Sequence, residues 1–348
     1  LGYAFLERFS SRLGVSVLTK EIMAAESKIA PWAQNIDDLV FMVGSGRSGT
    51  TWLQAMLSMH PHIYSGPETN FFGAFSAAEN SFSKVKGRRV GLSEYFTHEH
   101  FYGAIADLFM QMLSGLPEPE LQPQLFLEKS PHHCLHTDFL LKTFPNARFI
   151  HLVRDGRAVV ASMLRGSRTW AKDWASSDVD VATLGWIQKV EAAQSLKSRV
   201  SPENYIELRY EDLRRNPHQE LASLLSWLKV ETSAQWIDQA VVENDLSRCS
   251  TSERGFGSIP ETKQSAVVPS KNVSYPKGFF GKAPYSVQDI ELTRKQRLRI
   301  EHLAKQKLLE LGYAEVCQEF SVVDRLLLFA STKRVNRLLT KYFRLKLS

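Results

Sequence analysis

Between residues 39 and 53 the chain reads LVFMVGSGRSGTTWL, and no other stretch limits the fold as strongly. Five apolar residues, Leu39 to Val43, stop at Gly44, which is the pattern of a short strand buried on both faces. Gly44, Ser45, Gly46, Arg47, Ser48 and Gly49 form a tight loop. Residues 50–57 then carry Leu53, Met56 and Leu57 on one face of an expected helix. Strand, glycine-rich loop and helix start together make an anion site. First-turn amides lack a helical acceptor, the helix dipole puts partial positive charge there, and glycines let backbone approach a phosphate.

The nucleotide P-loop has the pattern G-x-x-x-x-G-K-[ST]. Gly44 and Gly49 keep its spacing, but Thr50 stands where the lysine belongs, and the cation lies inside the loop as Arg47. The expected ligand is therefore a nucleotide phosphate, without hydrolysis of a nucleoside triphosphate.

At 348 residues the chain can bury a sizeable core. Its net charge of +6 suits an anionic cofactor or an acidic acceptor, and no helix-turn-helix, zinc-finger or RNP signature points to nucleic acid. Cys134, Cys249 and Cys317 are too scattered for a disulfide framework or a zinc pattern. They favour a reducing, cytoplasmic setting. A lumenal or membrane-anchored setting fits instead if a segment ahead of Leu1 is missing. No apolar run has the length of a membrane span, and Asn272-Val273-Ser274 is a single glycosylation sequon.

Along the chain, residues 1–38 read as a helical lead-in and 80–100 as a polar, irregular insertion. Strands are expected at 125–128, 147–154 and 205–210, and helices at 104–113, 138–143, 158–164, 183–199 and 216–228. Strands alternating with helices give an α/β fold, a P-loop-type parallel β-sheet flanked by helices. Residues 250–284, rich in Gly, Ser, Pro and Lys, read as a long binding loop, and 287–311 as a basic helix. The tail from Val322 is basic and amphipathic. It docks on its own domain or makes peripheral contact with an anionic membrane.

The motif Arg47-Ser48-Gly49-Thr50-Thr51-Trp52 resembles the 5′-phosphosulfate loop of the sulfotransferases, which use 3′-phosphoadenosine 5′-phosphosulfate (PAPS) as sulfuryl donor. Arginine before Ser-Gly-Thr-Thr is the form found in tyrosylprotein and many bacterial members. Further segments follow in family order. Arg154 and Ser162, eight residues apart, resemble the 3′-phosphate motif, where a guanidinium fork and a hydroxyl meet one phosphate. Lys277-Gly278-Phe279-Phe280-Gly281 resembles the late K-G-x-x-G segment, although Lys282-Ala283-Pro284 replaces the tryptophan that often follows it. Lys129 matches a lysine that contacts the transferring sulfonate in the heparan-type and tyrosylprotein enzymes. Tyr210, in Arg209-Tyr210-Glu211-Asp212-Leu213, matches a tyrosine near the nucleotide.

The resemblance implies a single sulfotransferase domain over 39–321, between the lead-in 1–38 and the tail 322–348. It implies PAPS as cofactor, 3′-phosphoadenosine 5′-phosphate (PAP) as co-product and no metal. The acceptor is a hydroxyl on a carbohydrate or a tyrosine. In-line transfer builds charge on the leaving oxygen, for which Arg47, Lys129 and the amides of Ser48, Gly49, Thr50 and Thr51 are the stabilising candidates. Glu68, in Glu68-Thr69-Asn70-Phe71-Phe72, matches the glutamate that serves as general base. His132 and His133 are the alternative base. Two other readings remain: a P-loop kinase or NTPase, and a non-catalytic nucleotide- or polyanion-binding protein on the same scaffold.

Overall fold

A computed structural model describes residues 29–36, 38–82, 91–246 and 290–313. The expectations for residues 1–28, the loop 250–284 with Lys277, Gly278 and the Asn272 sequon, and the tail 322–348 lie outside the described residues.

Among the described residues five strands form one sheet: β1 (Asp38–Gly44), β2 (Ile63–Ser65), β3 (Leu125–Glu128), β4 (Arg148–Val153) and β5 (Tyr205–Arg209). Their order is β2-β3-β1-β4-β5, and every pairing is parallel. The apolar run therefore becomes the central strand, where both faces need cover. Alternation divides its side chains: Phe41 and Val43 enter an aromatic-rich core on one face, and Val40 and Met42 enter a leucine-rich core on the other. Phe126 and Phe149 repeat the first orientation, and Leu127 and Ile150 the second. Each such burial contributes about 1.5–3 kcal/mol.

Besides the single turn of helix at Pro31–Gln34, ten helices connect or cover the described strands: α1 (Thr50–Leu57), α2 (Phe71–Phe82), α3 (His98–Leu113), α4 (Thr137–Thr143), α5 (Gly156–Gly166), α6 (Val179–Gln194), α7 (Tyr210–Arg215), α8 (Pro217–Trp227), α9 (Ala234–Glu243) and α10 (Arg294–Glu310). Helices α2, α3 and α4 contribute to the aromatic core, and α1, α8 and α9 to the leucine core. Trp32 and Ala33, within the expected lead-in, are buried in the aromatic core. No described helix is long and apolar enough to cross a membrane.

Several expected boundaries move. The three-residue edge strand β2 was not expected, and neither was α9. The insertion 80–100 is partly helical: α2 runs to Phe82, and α3 begins at His98 rather than 104 because the Thr97 side chain accepts from the His100 amide at 3.2 Å. Helix α6 begins at Val179 rather than 183, capped by Asp178, whose carboxylate accepts from the Asp180 and Val181 amides. Helix α10 is basic in composition but is not simply a solvated face. Arg299 is buried in a bidentate pair with Asp180, and Glu301 is buried against Arg157.

Candidate functional site: five strand ends on one edge

Because all five strands are parallel, their carboxyl ends share one edge, and each end carries residues singled out from sequence. In open α/β sheets that edge is where ligands bind. The loop from β1 to α1 holds Arg47 at φ 74° and Gly49 at φ 98°. Gly49 is required twice over. Its backbone is left-handed, and a Cβ there would lie 2.4 Å from Cδ2 of Tyr210. The amides of Trp52 and Leu53 donate back to the Gly49 carbonyl at 3.0 and 3.1 Å. No backbone carbonyl among the described residues receives the Thr50 or Thr51 amide. The Ser48 hydroxyl is buried without a hydrogen-bond partner. An orphaned buried donor beside open first-turn amides is what a phosphate or sulfonate oxygen satisfies.

Arginines converge on this loop. Arg154, at the end of β4, donates to the Arg47 carbonyl at 3.1 Å, and its guanidinium lies 4.1 Å from the centre of the Tyr210 ring. Arg47 Nε donates to Ser162 Oγ at 3.1 Å. Arg154 and Ser162 thus reach the same loop, but the serine meets Arg47 rather than Arg154. Burial, then the like charges of Arg154 and Arg165, lower the Arg47 pKa to about 10, so it stays charged at neutral pH. Converging cations at a helix N-terminus fit an anion. Trp52 is buried in the leucine core; its indole N–H donates to the Asn244 carbonyl at 2.8 Å and its ring meets Tyr210 edge-on at 5.8 Å. Its one donor is therefore already used in holding the fold.

The turn after β4 is rigid. Asp155 caps α5, its amide donates to Glu211, and its carboxylate receives the Arg157 fork at 3.0 and 2.8 Å. Arg157 also donates to Glu301 at 2.9 Å, tying the turn to α10.

Lys129 follows β3 and is almost wholly buried. Its ammonium donates to Thr51 Oγ1 at 3.4 Å and pairs with Glu68, whose side chain is 41% exposed. The backbone after Glu68 is fastened to the end of β3. Ser130 Oγ accepts from the Thr69 and Asn70 amides at 3.0 Å each, and Glu128 accepts from the Thr69 and Ser130 hydroxyls at 2.8 and 2.6 Å. Burial alone would raise the Glu128 pKa. The facing His133 and the hydrogen bonds from His133, Ser130 and Thr69 outweigh it and hold the carboxyl at about 2. A carboxyl depressed from 4.5 stabilises the fold above about pH 4.5, and that contribution is lost as pH falls toward 2. Glu128→Gln should therefore cost on the order of 3 kcal/mol at pH 7 and much less at pH 3, read by urea unfolding at both values.

The two histidines separate. His133 is buried, with Nδ1 3.0 Å from Glu128 and its ring edge-on to Phe72 at 5.0 Å. It belongs to the core, so the expectation of His133 as a base is corrected: its ring is enclosed by phenylalanines and the Glu128 carboxylate. His132 lies beside the loop, its Cε1 3.7 Å from where a Gly46 Cβ would be. Burial, then Lys189, His133 and His136, lower its pKa to about 4, leaving it neutral at pH 7. Lys277 and Gly278 lie outside the described residues.

Sequence reasoning missed three contributors. Glu128 and Ser130 lie in a motif read only for its lysine, and their hydroxyl–carboxylate pattern at a strand end was the available signal. Trp170, whose ring stands 4.9 Å from the Arg47 guanidinium, falls in a loop without readable periodicity.

The model of a family described as "Sulfotransferase family" matches residues 39–234, more than half of the chain. Protein-tyrosine sulfotransferase 1 of Danio rerio is 28% identical over 278 residues, covering 79% of this chain and 75% of that protein. Protein-tyrosine sulfotransferase 1 of Homo sapiens is 35% identical over 129 residues, covering 36% of this chain and 34% of that protein. Among solved structures, mouse sulfotransferase SULT7A1 complexed with PAP has a similar fold, with a TM-score of 0.51 at 14% identity, covering 84% of this chain and 93% of that one. With the loop, the converging arginines and this match over the strands that carry them, the chain belongs to the sulfotransferase family.

Proposed function

We propose that this chain transfers a sulfuryl group from PAPS to the hydroxyl of a tyrosine side chain in a protein acceptor. The observation that carries it is the buried Lys129 ammonium, which links Thr51 of the phosphate loop to the Glu68 carboxylate. That contact sets a cation, a donor loop and a proton acceptor around one point. Tyrosine rather than carbohydrate is favoured because the curated relatives are named for protein tyrosine.

The orphaned Ser48 hydroxyl and the open Thr50 and Thr51 amides suit the 5′ end of PAPS, and Arg154 and Ser162 suit its 3′-phosphate. Tyr210 backs both groups, facing Gly49 on one side and Arg154 on the other. Bound there, PAPS supplies the electrophilic sulfur and the phosphate leaving group. Glu68 takes the acceptor hydroxyl's proton as its oxygen bonds to sulfur and the bond from sulfur to the bridging phosphate oxygen breaks. Lys129, Arg47 and the loop amides hold the negative charge that collects on that departing oxygen. We assign this activity to residues 39–321, with 29–36 packed on the domain through Trp32 and Ala33.

The test is calorimetric titration of the protein with PAP, beside ATP with magnesium. Arg154 offers a charged fork, and losing such a contact costs about 1.5–3 kcal/mol, or roughly 10- to 100-fold in affinity. PAP should bind tightly, and Arg154→Ala should weaken it by that factor. Transfer of sulfuryl to a tyrosine peptide, and not to its phenylalanine counterpart, completes the reading. Binding of ATP alone would bring back the kinase.

A further inference from the structure

Both arginines aimed at the phosphate loop rest on an aromatic face. Arg154 lies over Tyr210 at 4.1 Å and Arg47 over Trp170 at 4.9 Å. Such stacking uses the face of the guanidinium, which donates no hydrogen bond, and leaves the N–H groups in its plane for anions. For Arg47 this matters because two of its neighbours carry the same charge, even though Glu68 attracts it and Ser162 accepts from its Nε. Its backbone is left-handed, and the charges of Arg154 and Arg165 repel its side chain. The Ser162 bond holds only Nε, and the ring beneath the guanidinium fixes the direction in which the rest of the fork points.

The support is itself anchored. Trp170 sits in the turn after α5, the helix that also carries Ser162. The Thr169 and Ala171 amides donate to the Gly166 carbonyl at 3.0 and 2.9 Å, and Ala171 is buried. Trp174, half exposed, packs its ring 5.6 Å from that of Trp170. One helix therefore fixes both the hydroxyl that meets Arg47 Nε and the ring under its guanidinium.

We propose that Trp170 is a positioning residue of the donor site: its indole carries the Arg47 guanidinium and aims that fork at the anionic end of the donor. The proposal rests on the donor reading above. It assigns a role to a loop that carries none of the phosphate-binding motifs.

The test compares Trp170→Phe, Trp170→Leu and Trp170→Ala by calorimetric titration with PAP, with Arg154→Ala alongside and circular dichroism to verify folding. A cation–π contact of this kind corresponds to about a 3- to 30-fold effect. Phe keeps a π face, so its affinity should stay within about threefold of the parent. Leu keeps apolar bulk without a π face, and it should weaken PAP binding about tenfold, as should Ala. If Leu binds PAP as the parent does while Arg154→Ala has lost it, the donor site stands and the role of Trp170 is overturned. If Phe is weakened as much as Leu, Trp170 acts by packing, which also overturns it. If Arg154→Ala binds PAP like the parent, the donor reading itself fails and this inference goes with it.

Discussion

Lys129→Met should lower kcat for sulfuryl transfer by about 10²–10³-fold while changing PAP affinity by less than about threefold. The asymmetry follows from where the ammonium stands. It is buried at the end of β3, donating to Thr51 Oγ1 at 3.4 Å and pairing with Glu68, which in the proposed reaction puts it between donor and acceptor. Charge there is small in the ground state and grows as the sulfur–oxygen bond breaks. A group that stabilises the developing charge, and not the bound donor, appears in kcat rather than in binding. Preorganisation sets the size. Lys129 is already buried and held by Thr51 and Glu68, so it need not reorganise during the reaction, and removing one such donor costs about 2.7–4 kcal/mol. Methionine keeps most of the side chain's bulk, and Glu68, being 41% exposed, can regain water when its partner is gone. Stability should change little, and single-turnover rates with labelled donor isolate the chemical step. A variant with kcat near that of the parent, or one that loses PAP affinity in proportion, would move Lys129 out of the reacting centre.

The parts of this site that were legible in sequence are those whose logic is local. The phosphate loop announces itself because strand, turn and helix start are contiguous, and a left-handed position with no room for a Cβ demands Gly49. Arg154 and Ser162 were singled out by resemblance to the family's 3′-phosphate motif, a strand end and the helix after it, and both reach the Arg47 loop. Their partners were not legible: Ser162 meets Arg47 across 115 positions of sequence, a pairing set by sheet order rather than by spacing. The order β2-β3-β1-β4-β5 also explains how Lys129 comes to Thr51, since β3 and β1 are neighbours. Strand β2 escaped notice because three residues, with Tyr64 and Ser65 among them, show no apolar run. It exists because its backbone pairs with β3. Histidines 132 and 133 look equivalent in sequence, yet one step along the 3-10 helix Pro131–His136 turns one toward the loop and the other into phenylalanines. Trp170 had no local signature, since what gives it meaning is a guanidinium that belongs to β1's loop.

Glu68→Gln should lower kcat by about 10²–10⁴-fold with an ordinary tyrosine acceptor, and by far less with an acceptor whose hydroxyl is already ionised. Tyrosine holds its proton to a pKa of about 10, so at neutral pH nearly every acceptor arrives protonated and its proton has to leave as the new bond to sulfur forms. A fluorinated tyrosine that is ionised at the assay pH has no proton to give, and the base becomes redundant. Glutamine keeps the size of Glu68 and an oxygen toward Lys129, so the substitution removes basicity with little change in shape. Measuring kcat for both peptides on both proteins yields a double difference that folding defects cannot mimic, because a misfolded fraction lowers both acceptors equally. Rescue by the ionised acceptor identifies Glu68 as the proton acceptor. An equal deficit with both acceptors means that the carboxylate serves only to hold Lys129 in place. His132→Asn is the partner measurement, since His132 is neutral at pH 7 beside Gly46 and thus has a free base to offer. If His132→Asn, rather than Glu68→Gln, shows the large deficit and its rescue, the proton goes to the histidine and the assignment of Glu68 falls. The segment that carries Glu68 argues for the first outcome: Ser130 and Glu128 fasten Thr69 and Asn70 to the end of β3, so the carboxylate is set beside Lys129 before any acceptor arrives.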